Sequence, residues 1–147
     1  MLLRIKGLIP SDKLSIVRGI LDAAEFIDGK LSAGKEAVHV KDNEELPQNH
    51  PEMARLNNIV MGQLVNHPTY QFGVLPHRIA APFYARYTRG RNYGYHVDDP
   101  VMGTQDRYRT DVSITVFLNE PDEYDGGELA IKTASGEIKH KLPAGDA

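Results

Sequence analysis

Within the stretch NYGYHVDDPVMG, His96 and Asp98 stand two residues apart. On an extended strand, residues i and i+2 point to the same face, so an imidazole and a carboxylate at this spacing can reach one ion together. Neutral imidazole suits iron, zinc or copper, and a carboxylate makes such a site hard enough for iron. A histidine and an aspartate separated by one residue arise by chance about 0.4 times in a chain of this composition. The weight of the pattern therefore rests on its surroundings. Tyr93, Gly94 and Tyr95 precede the histidine, ARYTRG lies further upstream, and TDVSITVFLN, DGGEL and LPAGDA follow in that order.

These residues have to be placed by the elements around them. Pro10-Ser11 offers a helix start with Ser11 as its cap, and Leu14, Val17, Leu21 and Ala24 then recur at helical spacing, flanked by Ile16 and Ile20. Asp28-Gly29 reads as a turn, LSAGKEAVHV as a short strand and KDNEELPQNHP as a polar loop. A second helix is expected from near Pro51, with Met53, Leu56, Val60 and Leu64 on one face. It should stop at Asn66-His67, because Pro68 disfavours helix in the residue before it.

After about Pro76 the character changes. RIAAPFYARY is rich in strand formers, and TDVSITVFLN alternates between an apolar and a mixed face. ELAIK and GEIKHKL read as short strands joined near Ser135-Gly136, after a turn at Asp125-Gly126-Gly127. The fold class is α+β: helices through residue 75, then a mostly antiparallel β region over 76–147, in one domain.

The 147 residues suffice for a core without staples. The net charge of −3 gives no general attraction to nucleic acid or to an anionic membrane. Arg86, Arg89, Arg91, Arg107 and Arg109 cluster locally, as a solvated strand edge or as a site for a small anion. The absence of cysteine excludes thiol catalysis, zinc–thiolate sites and disulfides, and agrees with a cytoplasmic protein. The opening MLLRIKGLIP has too short an apolar run for a signal peptide or a membrane span.

The ordered set of motifs resembles the prolyl-4-hydroxylase-like branch of the Fe(II)- and 2-oxoglutarate-dependent dioxygenases, and most closely the bacterial PKHD-type hydroxylases. FYARYTRGRNYGYHVDDPVM is its most specific part, and the likeness is strongest from Pro76 to Ala147. It implies N-terminal helices packed on a double-stranded β-helix, or jelly roll. It also implies His96 and Asp98 as iron ligands, Tyr87 and Tyr93 in the 2-oxoglutarate pocket, ascorbate as reductant and a link to iron uptake. The substrate would be a small molecule or a peptide. In a straight strand Tyr93 would face away from His96, so a bend at Gly94 is required.

The family pattern also calls for a distal histidine and then a basic residue, both after the strand that begins near Gly145-Asp146. Neither is among these 147 residues, which leads us to expect a truncated chain whose C-terminal strands are missing, with weak iron binding and little turnover. His140 precedes the Gly-Asp marker and is expected to be an exposed strand residue. His39, His50, His67 and His77, with Asp99, Asp106, Asp111, Asp125 and Glu128, are read as structural or solvated; His67 is placed at a helix end that favours a cation. Two other readings stand beside the hydroxylase: a cupin-like binding module without redox chemistry, and a zinc-dependent hydrolase using His96, Asp98 and His77.

Overall fold

In the computed structural model, which describes residues 2–32, 37–103 and 105–147, the first helix α1 runs Ser11–Ala23 and turns Val17 fully into the interior. Its opening bond, Leu14 N to Pro10 O, puts Ser11 inside the first turn. The carbonyl at the cap therefore belongs to Pro10, and Ser11 is not the cap its residue type suggested. The second helix α2, Met53–Val65, buries Met53, Leu56, Val60 and Leu64, the apolar stripe visible in the sequence. It stops before Pro68, as required. A third helix α3, Pro68–Val74, then begins at once. Pro68 suits a first helical position. His67 Nδ1 accepts the Thr69 amide hydrogen at 3.2 Å and caps α3. His67 thus stands at a helix N-terminus, where the dipole disfavours a cation, contrary to the expectation above.

The chain divides into two compact units. The first joins Met1–Ala23, Ala54–Ala80 and Thr115–Ala147. Its core is Ile5, Leu8, Ile9, Val17, Leu56, Val60, Leu64 and Tyr70; each such side chain contributes about 1.5–3 kcal/mol by leaving water. Residues 145–147 lie between two other segments. Ile5 and Ala147 exchange both backbone bonds, Ile9 N donates to Gly145 O, and Phe117 N and Gly145 N bond to Asp146 O and Phe117 O. Asp146 is buried there, with Arg4 Nη2 at 2.6 Å and the Gly7 amide at 2.7 Å from its carboxylate.

The second unit joins Ala24–Met53 and Ala81–Ile114. Strands β1 (Ile27–Asp28), β2 (Lys41–Asp42), β3 (Glu44–Glu45), β4 (Ala85–Arg86), β5 (Asn92–Tyr93), β6 (Val101–Met102) and β7 (Tyr108–Arg109) are all short. They pair antiparallel as β1-β3-β4, β2-β5 and β6-β7. The first unit adds the hairpin β8 (Leu129–Thr133) and β9 (Gly136–His140), in register Ile131 to Ile138, where two strands were expected.

Several sequence expectations give way. KDNEELPQNHP carries β2 and β3 and buries Lys41, Asn43, Glu45 and Leu46, so it is no solvated loop. Lys41 pairs with Glu45 inside the segment, and Asp42 and Glu44 pair with Arg91 and Arg86 outside it, which hides these charges from a reading by composition. The ends of LSAGKEAVHV form 3-10 turns, Gly29–Ser32 and Ala37–His39, and its middle, 33–36, lies outside the described residues. RIAAPFYARY contributes only β4. TDVSITVFLN forms no ladder among the described residues, and Val112 stands 52% exposed. Alternation encodes fitness for a sheet face, but a ladder needs partners.

Candidate metal centre

The segment carrying His96 is anchored by β5. Lys41 lies opposite Tyr93, Asp42 opposite Asn92, and the Gly94 amide extends the pairing to Val40 O at 2.8 Å. A Cβ on Gly94 would stand 3.0 Å from Val40 Cβ, so glycine is what lets the two backbones close up here. The chain then leaves the ladder and bends at Tyr95. Tyr95 and Val97, the latter 90% exposed, point outward. His96 and Asp98 meet on the other side, His96 Nε2 lying 3.3 Å from Asp98 Oδ1. The turn after Tyr93 also lets its ring stack on the imidazole, with centroids 3.8 Å apart and planes 9° apart.

His96 Nδ1 lies 2.8 Å from Gly94 O. A carbonyl only accepts, so Nδ1 carries the hydrogen and the Nε2 lone pair is left for a metal. Metal–ligand bonds of about 2.1 Å at a right angle set donor atoms about 3.0 Å apart. The observed spacing, the tied Nδ1 and the mixed nitrogen–oxygen donors all fit two neighbouring ligands of one first-row ion.

Of the two expected pocket tyrosines, Tyr93 stacks on His96, and Tyr87 lies in the same unit. Tyr87 Oη accepts a hydrogen bond from Asn43 Nδ2 at 3.2 Å. Burial pushes its pKa upward against the lowering effect of that bond, and the Glu45 carboxylate adds to the rise. Burial likewise raises Tyr93, helped by Asp98. Sequence reasoning missed the buried set beside them: Lys41 Nζ lies 2.5 Å from Glu45 Oε1 and 2.8 Å from Ser32 Oγ. Its signal was there, since Lys41, Asn43 and Glu45 alternate and lead into Leu46.

The other candidates are placed elsewhere. His39 ends a 3-10 turn, and His50 Nδ1 accepts the Glu52 amide hydrogen ahead of α2. His77 lines an open groove of about 520 Å³ with Tyr70, Leu75 and Ile79 in the first unit. His140 ends β9 with its Nε2 buried, where an exposed residue was expected. The Asp99 carbonyl accepts from the Thr110 hydroxyl. Three of the clustered arginines are paired: Arg86 with Glu44, Arg91 with Asp42 and Glu44, Arg109 with Asp111. Among the described residues no three histidines or carboxylates gather as a metal site. No described helix is long and apolar enough to cross a membrane.

Residues 82–147, which include the histidine–aspartate pair, match the 2OG-Fe(II) oxygenase superfamily. The chain belongs to that superfamily. Within it, the chain is 48% identical over 148 residues to a PKHD-type hydroxylase of Thioalkalivibrio sulfidiphilus. It is 43% identical over 152 residues to one of Hyphomonas neptunium, and 40% over 149 to one of Pseudomonas paraeruginosa. The alignments take in 100%, 100% and 99% of this chain, which spans 66% of each relative's own length.

Proposed function

We propose that the whole protein is an Fe(II)- and 2-oxoglutarate-dependent hydroxylase, with His96 and Asp98 as two of its iron ligands. The observation that carries this reading is the 3.3 Å approach of His96 Nε2 to Asp98 Oδ1 with Nδ1 tied back to Gly94 O. A third protein ligand, a histidine from outside these 147 residues, would complete a facial triad and leave positions open for co-substrate and oxygen. Residues 76–147 would form the β core of the one oxygenase domain, with the front helices packed on it. The exposed apolar face at Val112 and Ile114 supports a double-stranded β-helix whose remaining strands cover it.

In such a site the oxidising chemistry is that of a ferrous ion with a keto acid and dioxygen: one oxygen atom leaves in succinate as carbon dioxide is lost, and the other enters a C–H bond of the substrate. This chain's residues supply the setting. Gly94 O fixes the imidazole tautomer. Asp98 offsets the charge of the ion. Tyr87 and Tyr93 form the wall of the 2-oxoglutarate pocket; phenols are neutral near pH 7, so they can donate hydrogen bonds to a dicarboxylate without repelling it. Ascorbate is the fitting reductant, a small molecule or peptide the substrate, iron uptake the process served and the cytoplasm the compartment.

Anaerobic addition of Fe(II) and then 2-oxoglutarate to the whole protein tests the proposal. A visible charge-transfer band should form, fade when oxygen is admitted, and be missing in Asp98→Ala. A protein that binds its ligand without the band is a cupin-like module, and hydrolysis supported by zinc alone would favour the hydrolase.

A further inference from the structure

Lys41 and Glu45 are 6% and 7% exposed, yet they form an ion pair, and Lys41 lies on the strand paired with the one that leads to His96. Lys41 Nζ, Glu45 and the Ser32 hydroxyl form a closed triangle: Nζ to Oε1 is 2.5 Å, Nζ to Ser32 Oγ 2.8 Å, and Ser32 Oγ to Oε2 2.5 Å. Taking two charges out of water costs about as much as their attraction returns, and buried pairs can often be replaced by apolar side chains without loss of stability. Stability alone therefore does not account for this pair. Its position is more informative. The β2–β5 register sets Lys41 directly opposite Tyr93, and Nζ lies 5.5 Å from the centroid of the Tyr93 ring, within cation–π range. That ring is the one stacked on His96.

We propose that Lys41, locked by Glu45 and Ser32, is a positioning residue: it holds the Tyr93 ring as a flat brace that keeps the His96 imidazole turned with Nε2 towards Asp98. The inference rests on the reading of His96 and Asp98 as metal ligands. The imidazole plane is set by two contacts, the Gly94 carbonyl at its edge and the Tyr93 ring on its face. The first fixes the tautomer. The second limits rotation, and it is only as rigid as Tyr93 itself. Groups one step removed from a metal typically change its affinity 10–100-fold when lost.

Cobalt(II) titration of the whole protein, followed by absorption, reads this out, together with the imidazole nitrogen and proton shifts of His96 in the metal-free protein. The double variant Lys41→Met/Glu45→Leu should keep the melting temperature within a few degrees while cobalt affinity falls by about 10-fold or more and the imidazole shifts move. Tyr93→Leu should do the same, and Tyr93→Phe, which keeps the ring, should restore parental affinity. This tyrosine pair decides the matter should the double variant fail to fold. Parental affinity and unchanged imidazole shifts in Tyr93→Leu would overturn the role of Lys41 and leave the ligands standing. Parental affinity in Asp98→Ala would overturn the ligand assignment itself, and the brace with it.

Discussion

The imidazole of His96 lies flat on the ring of Tyr93, 9° from parallel, although the two residues are an odd number of positions apart. An unbroken strand would hold them on opposite faces. The ladder ends at Tyr93 instead, and the backbone bends at Tyr95, one residue past the Gly94 at which the bend was expected and which sits against Val40. A site of this kind is made by the departure from regular structure as much as by the strand before it.

If His96 and Asp98 share one ion, each should be needed. His96→Ala and Asp98→Ala are each expected to lower cobalt(II) or iron(II) affinity by more than about 100-fold, beyond the usual effect of residues that only orient ligands. Isothermal titration under nitrogen measures this. Asp99→Ala, one residue on and outside the pair, should stay within about threefold of the parent.

Asp146 should make stability sensitive to acid. Burial alone would raise its pKa, but the Gly7 amide and the Arg4 guanidinium outweigh burial, and the net shift is downward. A carboxylate depressed on folding contributes stability that is fully present above its unfolded pKa, near 3.9, and is lost as pH falls through the folded value. Asp146→Asn should therefore cost about 1–2 kcal/mol at pH 7 and flatten the loss of stability below about pH 4. Urea unfolding at a series of pH values shows both.

At the alkaline end the sign reverses. Burial pushes the Tyr84 phenol far above its ordinary value. The unfolded chain then releases this proton near pH 10 while the folded chain holds it. Stability should fall as pH rises beyond about 10, and Tyr84→Phe should remove that part of the slope. Thermal melts between pH 8 and 11.5, parent against variant, provide the measurement.

Gly145 has a φ of +90°, and a Cβ there would come 2.5 Å from Ile9 O. Gly145→Ala should destabilise the chain by about 2 kcal/mol or more, since strain and collision act together. The same change at Gly19, where a Cβ meets nothing within 4 Å inside α1, should stabilise it slightly. Denaturant midpoints of the two variants should move in opposite directions.

These contrasts also show what the chain reveals unaided. Periodicity located α2 and its buried face to the residue, because four apolar side chains at 3.6 spacing have one way to hide. The hairpin at Ser135-Gly136 was equally open, since its pairing is local. The stretch from Thr110 to Asn119 was not: its alternation states a wish for a sheet, while the partners that would grant it are chosen by distant segments. In the candidate site, the approach of His96 to Asp98 could be read from a spacing of two. The Lys41–Glu45 set was only half legible: its alternation into Leu46 hinted at a buried face, but four charges and an amide in a row look like solvent-facing chain until Ser32 and Tyr93 are brought to them by folding.

The backbone exchange between Ile5 and Ala147 has a bearing on synthesis. The first unit is stitched from three segments, the last of which begins at Thr115, whereas every segment of the second lies within Ala24–Ile114. On the ribosome, both segments of the unit carrying His96 are made once residue 114 clears the exit tunnel. The half built around Val17 and Leu56 must wait for Asp146 and its neighbours, and until then its apolar helices are company for chaperones.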